Sequence, residues 1–386
     1  MFSIDKRAME IPRTDLYKAL EERIEKKNVF NQKNDEKFGK DRTRIFSTLE
    51  NIALPELFGF DMNDFLNDPA LQMEMTLRER IFYLDNLQSD NNQPTSMKAH
   101  SGIYTDMTVL GLEVTHDPDG VPQYGYHPIS DRADLSLMKP FDFFMTGDMP
   151  RLHKIYTGLK NLSQEWYGGK IDVSFPTFFR GPLDIYVQMR GYENFVTDLA
   201  EDTDFVHAFL GYIARERIRW NKERISFLGG AMPYDTYQVD DDWVYVPFIS
   251  PNVFNEFIFP TYKVINHSEP ITHFHTCGDM VPFAHELLNV FPSMTKLAPG
   301  GWCDFERLDA MVDPSITFSS IGTRNIFTLF STDEEQRERF AAIKRVAHRR
   351  KVNHISVAAL TKTHITIEET IYRANQFIDK MREAIH

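Results

Sequence analysis

The chain has 386 residues, 42% of them apolar and 26% charged, and a net charge of -13 at pH 7. That acidic balance argues against nucleic acid or an anionic membrane as the main partner, because both reward clustered lysine and arginine. Two cysteines are too few for a disulfide framework, and no apolar run approaches the ~18–20 residues of a spanning helix. The opening "MFSIDKRAMEIPRTD" carries charge but no apolar signal-peptide core, so a cytoplasmic protein with reduced thiols is expected. The 31 Phe and 15 Tyr suggest a bulky core and an aromatic-lined cleft.

Residues 1–95 read as an N-terminal extension and helical lead-in. After "LYKALEERI" the segment "KKNVFNQKNDEKFGKDRTR" is charged and loop-like. Near 65–86, Leu71, Met75, Leu77, Ile81 and Leu84 fall near helical spacing. From about 96 to 386 short apolar runs alternate with amphipathic stretches. "DVSFPTFF" reads as a strand and 204–228 as a long helix, with Phe205, Phe209, Ile213, Arg217 and Trp220 near one side. The run Arg215, Arg217, Arg219, Lys222 and Arg224 reads as a solvated helix face. "WVYVPFIS" (243–250) is strand-like, and Ser250-Pro251 starts a helix. Strands at "ITHFH", "TKLAP", "SITFSSIG" and "VNHISVAAL" then alternate with helices, one opening on a Thr-x-x-Glu capping box. Sustained βα alternation means a parallel sheet wrapped by helices, and roughly eight units favour one closed (β/α)8 TIM barrel. No G-x-G-x-x-G or P-loop sequence supports nucleotide binding.

The stretch "PITHFHTCGDMVPF" (270–283) carries the chemistry. Strand alternation sends His273, His275 and Cys277 to one face, at the strand end where barrels place reactive groups. Imidazole and thiolate are zinc ligands. Cys303, in "KLAPGGWCDFERL", follows the next strand, so both cysteines are expected in neighbouring loops over the barrel mouth. His275, Cys277 and Cys303 are the expected metal ligands. His354, His364 or water would supply a fourth. The plainer reading is a buried thiol and hydrogen-bonded interior histidines.

The same stretch resembles the uroporphyrinogen decarboxylase superfamily. Asp241-Asp242-Trp243, Ser250-Pro251, Phe257 to Pro260, and His275-x-Cys277-Gly278 come in that superfamily's order. "GIYTDMTVLGLEV" puts Asp106 at its active-site aspartate, and "FRGPLDIYVQMRGYENFVTDL" puts Tyr186 near its tyrosine. The resemblance runs from about residue 95 to the C-terminus and implies a (β/α)8 barrel with a deep mouth. It also implies an active site with Asp106, Tyr186, Asp242 and His275 as its catalytic residues. The decarboxylases' "Met-Arg-Gln-Ala-Gly-Arg" loop, which holds substrate carboxylates, is missing here; residues 1–60 offer only scattered Arg13, Arg23, Arg42 and Arg44. The superfamily's zinc-dependent methyltransferases carry His-x-Cys-Gly, as this chain does, but add a later cysteine where "HISVAAL" has none.

The expectation is a Zn2+-dependent methyltransferase moving a methyl group between methylcobalamin on a corrinoid protein and a thiol or similar acceptor. In it Asp106 and Asp242 orient substrate or fix histidine tautomers. The alternative is a metal-free decarboxylase or lyase using Asp106, Tyr186 and His275, with Arg180 or Arg190 on a carboxylate. A non-catalytic barrel binding a corrinoid or tetrapyrrole is a third reading. Expected partners are a small-molecule substrate, a corrinoid protein and a second copy of the chain.

Overall fold

The computed structural model describes the chain apart from residues 1–2, 50–52, 101, 103, 118–121, 231–236 and 360–364. Eight parallel strands ring the core: β1 Arg44–Leu49, β2 Met97–Lys98, β3 Val173–Ser174, β4 Gln238–Asp240, β5 His273–Thr276, β6 Lys296–Pro299, β7 Thr317–Thr323 and β8 Val352–Ala359. β4, β5, β6, β7, β8 and β1 form one hydrogen-bonded sheet in that order. β2 pairs with β3, and the chain continuing from β3 reaches β4 through a parallel bridge between Arg180 and Asp240. Asp90, in the segment leading to β2, is anchored on β1. Its N–H donates to the Ile45 carbonyl, and its carboxylate accepts the Ile45 N–H and pairs with buried Arg42. The result is the expected (β/α)8 barrel.

β1 comes from inside the segment read as a lead-in. "RIFSTL" alternates, burying Ile45, Ser47 and Leu49, and pairs with β8 along its whole length. The barrel therefore starts at residue 44 and not at 96. Helix Leu16–Phe38 precedes it and packs on helix Pro69–Asn86.

Two further expectations are corrected. "WVYVPFIS" is not a strand. β4 lies just before it; the Asp241 N–H still donates to the His275 carbonyl, and the Asp241 carboxylate accepts the Leu183 and Asp184 N–H groups where the ladder ends. Trp243 stacks on Tyr192, and Phe248 packs on both Trp243 and Tyr245, so this apolar run forms an aromatic loop at the barrel mouth. The basic run on helix Thr203–Phe227 is not a solvated face throughout. Arg215 and Lys222 are exposed, but Arg217 and Arg224 are buried. Arg217 pairs with Glu269 and donates to the Arg180 and Gln238 carbonyls, while Arg224 donates to that of Phe175. These guanidinium groups tie the helix to strand-end carbonyls, which a burial this complete requires. The Thr332–Glu335 capping box forms as expected, and the Ser250 hydroxyl caps the helix after it. Among the described residues no helix is long and apolar enough to cross a membrane.

Candidate metal centre at the barrel mouth

Along β5, Phe274 and Thr276 are buried against the helical layer, while His273 and His275 face the barrel interior. His275 Nδ1 lies 2.7 Å from the Ala298 carbonyl. A carbonyl only accepts, so Nδ1 carries the proton, which leaves Nε2 of the neutral ring with its lone pair directed into the mouth. Nε2 is 3.5 Å from Cys277 Sγ and 3.6 Å from Asp242 Oδ1. One ligand atom from each of Asp242, His275 and Cys277 lies within 4.8 Å of the other two.

Asp242 is held from two sides. Its Oδ1 accepts the Cys277 N–H at 3.0 Å, and its Oδ2 accepts Arg180 Nη1 at 2.8 Å. Burial works against its charge, but the His275 imidazole, when it carries a second proton, and Arg180 outweigh it and hold the carboxyl below its ordinary value. Burial, and then the Asp242 carboxylate, push the Cys277 thiol up. Gly278 closes the motif for a steric reason: a Cβ there would fall 1.9 Å from the Tyr245 ring.

The other expected residues divide. Asp106 sits in the short helix Thr105–Val109 and accepts the Arg180 N–H at 3.2 Å. Burial pushes its pKa up to about 7 against the pull of Arg180. Arg180 Nη1 also binds Asp184, whose pKa burial raises to about 6. The Arg180 guanidinium thus serves two carboxyls, Asp184 and Asp242, while Asp106 is held by the backbone N–H of the same residue. Asp184 carried no signal in the sequence beyond its place one helical turn after Arg180.

Cys303 is not a member of the cluster. After β6 the chain folds back on Cys277: the Trp302 N–H donates to the Cys277 carbonyl and the Cys303 N–H to that of Gly300. Gly300 is obligatory there, since a Cβ would lie 2.5 Å from Cys277 Cα. This turn carries Cys303 into the core, against Asp279 and the Met280 N–H, and burial raises its thiol pKa. Asp242, expected as a catalytic residue that orients substrate or fixes a histidine tautomer, is instead the third group of a trio that could hold a metal ion.

Tyr186 also leaves the site. It is fully buried on the outer side of helix Pro182–Arg190, with its hydroxyl 2.9 Å from Asp198 and its ring 4.7 Å from that of Phe209. Arg190 binds the same Asp198 carboxylate, so it too is occupied. His273 bonds to Ser319 Oγ and His354 stacks on Phe46, each with its pKa lowered to about 4 by burial. Both behave as interior structural histidines. His364 lies outside the described residues.

The three converging groups fit a zinc ion. Zinc bonds of about 2.0–2.3 Å in a tetrahedron set neighbouring donor atoms about 3.3–3.6 Å apart, which is the spacing around His275 Nε2. A divalent cation among them would also reverse the forces on Cys277, since coordination deprotonates a thiol outright. Three protein ligands leave a fourth position open, as in catalytic zinc sites.

A barrel with a histidine, a cysteine and an aspartate gathered over its mouth defines a class of protein, and the uroporphyrinogen decarboxylase (URO-D) family model matches residues 91–355. The chain belongs to that family. Among solved structures it resembles a methyltransferase from Methanosarcina mazei, with a TM-score of 0.61 and 14% identity over 88% of this chain and 94% of that one. At that identity the likeness shows the fold alone. No curated protein matches the chain by sequence.

Proposed function

We propose that this protein is a zinc-dependent methyltransferase that moves a methyl group between methylcobalamin, carried by a corrinoid protein, and a thiol or similar acceptor. The observation that carries the reading is the convergence of Asp242, His275 and Cys277, with His275 fixed in the tautomer that offers Nε2. A bound zinc would supply a Lewis acid that keeps an acceptor sulfur ionised near neutral pH. The chain's own residues do the positioning. Ala298 orients the His275 ring, and Arg180 and the Cys277 N–H lock the Asp242 carboxylate. The acceptor loses its S–H proton and bonds the methyl carbon, and the donor keeps the electron pair of the bond that breaks. The M. mazei methyltransferase supports this reading through shared architecture.

The test is element analysis of chelator-stripped, zinc-reloaded protein, with a methylcobalamin demethylation assay against a panel of thiols. About one equivalent of zinc and thiol-dependent demethylation are expected. Less than half an equivalent, with Cys277 freely titratable, would remove the proposal.

One observation favours a metal-free decarboxylase or lyase. Asp106 is a buried carboxyl with a pKa of about 7, beside an arginine whose Nε has no partner. Such a pair suits proton delivery beside a bound carboxylate. Full turnover of an acid substrate by Cys277→Ala protein would favour that reading over the first.

A further inference from the structure

A cavity of about 440 Å³ opens beside Cys277, lined by Trp302, Arg324, Asn325, Phe327 and Phe330. Its size is that of a small-molecule pocket. Three of these side chains are aromatic, and Trp302 stands 66% exposed and Phe330 47% exposed, although an arginine lies over one face of each, Arg324 on Trp302 and Arg373 on Phe330. Arg324 lies over the Trp302 ring, 4.3 Å from its centre, and makes no ion pair or side-chain hydrogen bond among the described residues. Arg180, the arginine at the Asp242 cluster, is by contrast committed to Asp184 and Asp242. Asn325 Oδ1 is buried with no donor to satisfy it. A buried acceptor left alone is destabilising, a loss that a ligand's N–H or O–H would recover.

We propose that this cavity binds an aromatic carboxylate bearing a hydrogen-bond donor on its ring. The carboxylate pairs with Arg324, the ring lies against Trp302 and Phe330, and the donor satisfies Asn325 Oδ1. Each group has its reason in the cavity. The uncommitted guanidinium calls for an anion. The aromatic walls call for a flat apolar body. The orphaned oxygen calls for a donor and disfavours a purely aliphatic or donor-free ligand. Cys277 in the lining means that one edge of such a ligand approaches the metal centre. This places a specific substrate class at the site; it rests on the methyl-transfer reading for which edge reacts, but the binding itself does not.

The experiment is calorimetric titration of the full-length, chelator-stripped protein with 2-, 3- and 4-hydroxybenzoate, benzoate and phenol. The proposal expects saturable binding of at least one hydroxybenzoate, tenfold or more tighter than either benzoate or phenol. Arg324→Ala should remove the advantage over phenol, and Asn325→Leu the advantage over benzoate, with thermal unfolding of both variants unchanged. Arg324 is exposed, so its replacement tests binding without risking the fold. Absence of saturable binding by all three isomers would overturn the proposal and leave the exposed rim as a surface for a protein partner. So would binding that Arg324→Ala does not weaken. Because the titration uses metal-free protein, failure of the zinc assay leaves its result intact, and the converse holds.

Discussion

The two cysteines occupy the loops after adjacent strands, yet their surroundings share nothing. The chain keeps the strand's alternation for one residue past the end of β5, so Cys277 stays on the face that His275 shares and meets Asp242 across the neighbouring strand end. The loop after β6 spends two glycines on a turn that folds back over Cys277 and sends Cys303 inward to Asp279 and Met280. Position after a strand end is therefore not enough to bring a thiol to the Asp242–His275 pair; the direction of the chain as it leaves the sheet decides. The neighbouring aspartates repeat the lesson within one dipeptide. Asp241 is fully buried and serves the Leu183 and Asp184 N–H groups and the Tyr262 hydroxyl, whereas Asp242 faces the mouth.

Replacing a ligand breaks this contrast most sharply. Cys277→Ala or His275→Ala should lower both zinc retention and methyl transfer by a hundredfold or more. Cys303→Ala should keep the metal and stay within a few-fold of the parent rate, with a stability loss of about 1 kcal/mol, since it removes only a small buried group. Element analysis and initial rates on the three variants make the comparison.

The aspartate pair should separate stability from metal binding. Asp241→Ala leaves three buried donors unpaired and should cost about 2–4 kcal/mol in urea unfolding. Asp242→Asn should cost less than about 1 kcal/mol and weaken zinc retention tenfold or more. Equal stability losses would show that the two carboxylates do the same job.

Asp106 gives a dependence on pH. Its folded pKa of about 7 stands above the ordinary 3.8. The stability of the folded protein is fully supported below the ordinary value, where both states hold the proton. As pH rises from about 4 to about 7 the unfolded chain releases that proton first, so stability falls, by at most about 1.4 kcal/mol per unit. Asp106→Asn should make this part of the unfolding-midpoint profile shallower, leaving the share that Asp184, also raised by burial, contributes. An unchanged slope would contradict the burial-driven shift.

The smallest effect is expected at Tyr186. Tyr186→Phe removes one hydrogen bond to Asp198, which keeps both arginine partners, and should cost about 1 kcal/mol. Its kcat and KM should not move, and a tenfold loss of kcat would return the tyrosine to the site.

Much of this was legible beforehand because it depends on local pattern. Period-two alternation put His273 and His275 on one face of β5, and the βα rhythm with its Thr332 cap gave the barrel. The mistakes share a cause in long-range packing. β1 is a six-residue strand in a charged neighbourhood, and only its pairing with β8 makes it part of the barrel. "WVYVPFIS" has a strand's apolar content, but its aromatic rings pack on one another and on Tyr192 while the ladder ends at Asp241. Arg217 and Arg224 look like surface charges until their carbonyl partners come from distant loops. Tyr186 was placed by resemblance, and the rotation of helix Pro182–Arg190 turns it outward. For Cys303 the two glycines before it were the available signal, since they allow the chain to turn back on itself.

The ligand set can be counted directly. X-ray absorption at the zinc K-edge on the reloaded protein reports how many sulfur atoms surround the metal. One sulfur, lost in Cys277→Ala and kept in Cys303→Ala, is the result expected for a centre built from Asp242, His275 and Cys277. Two sulfurs, or a single sulfur that disappears with Cys303, would contradict it.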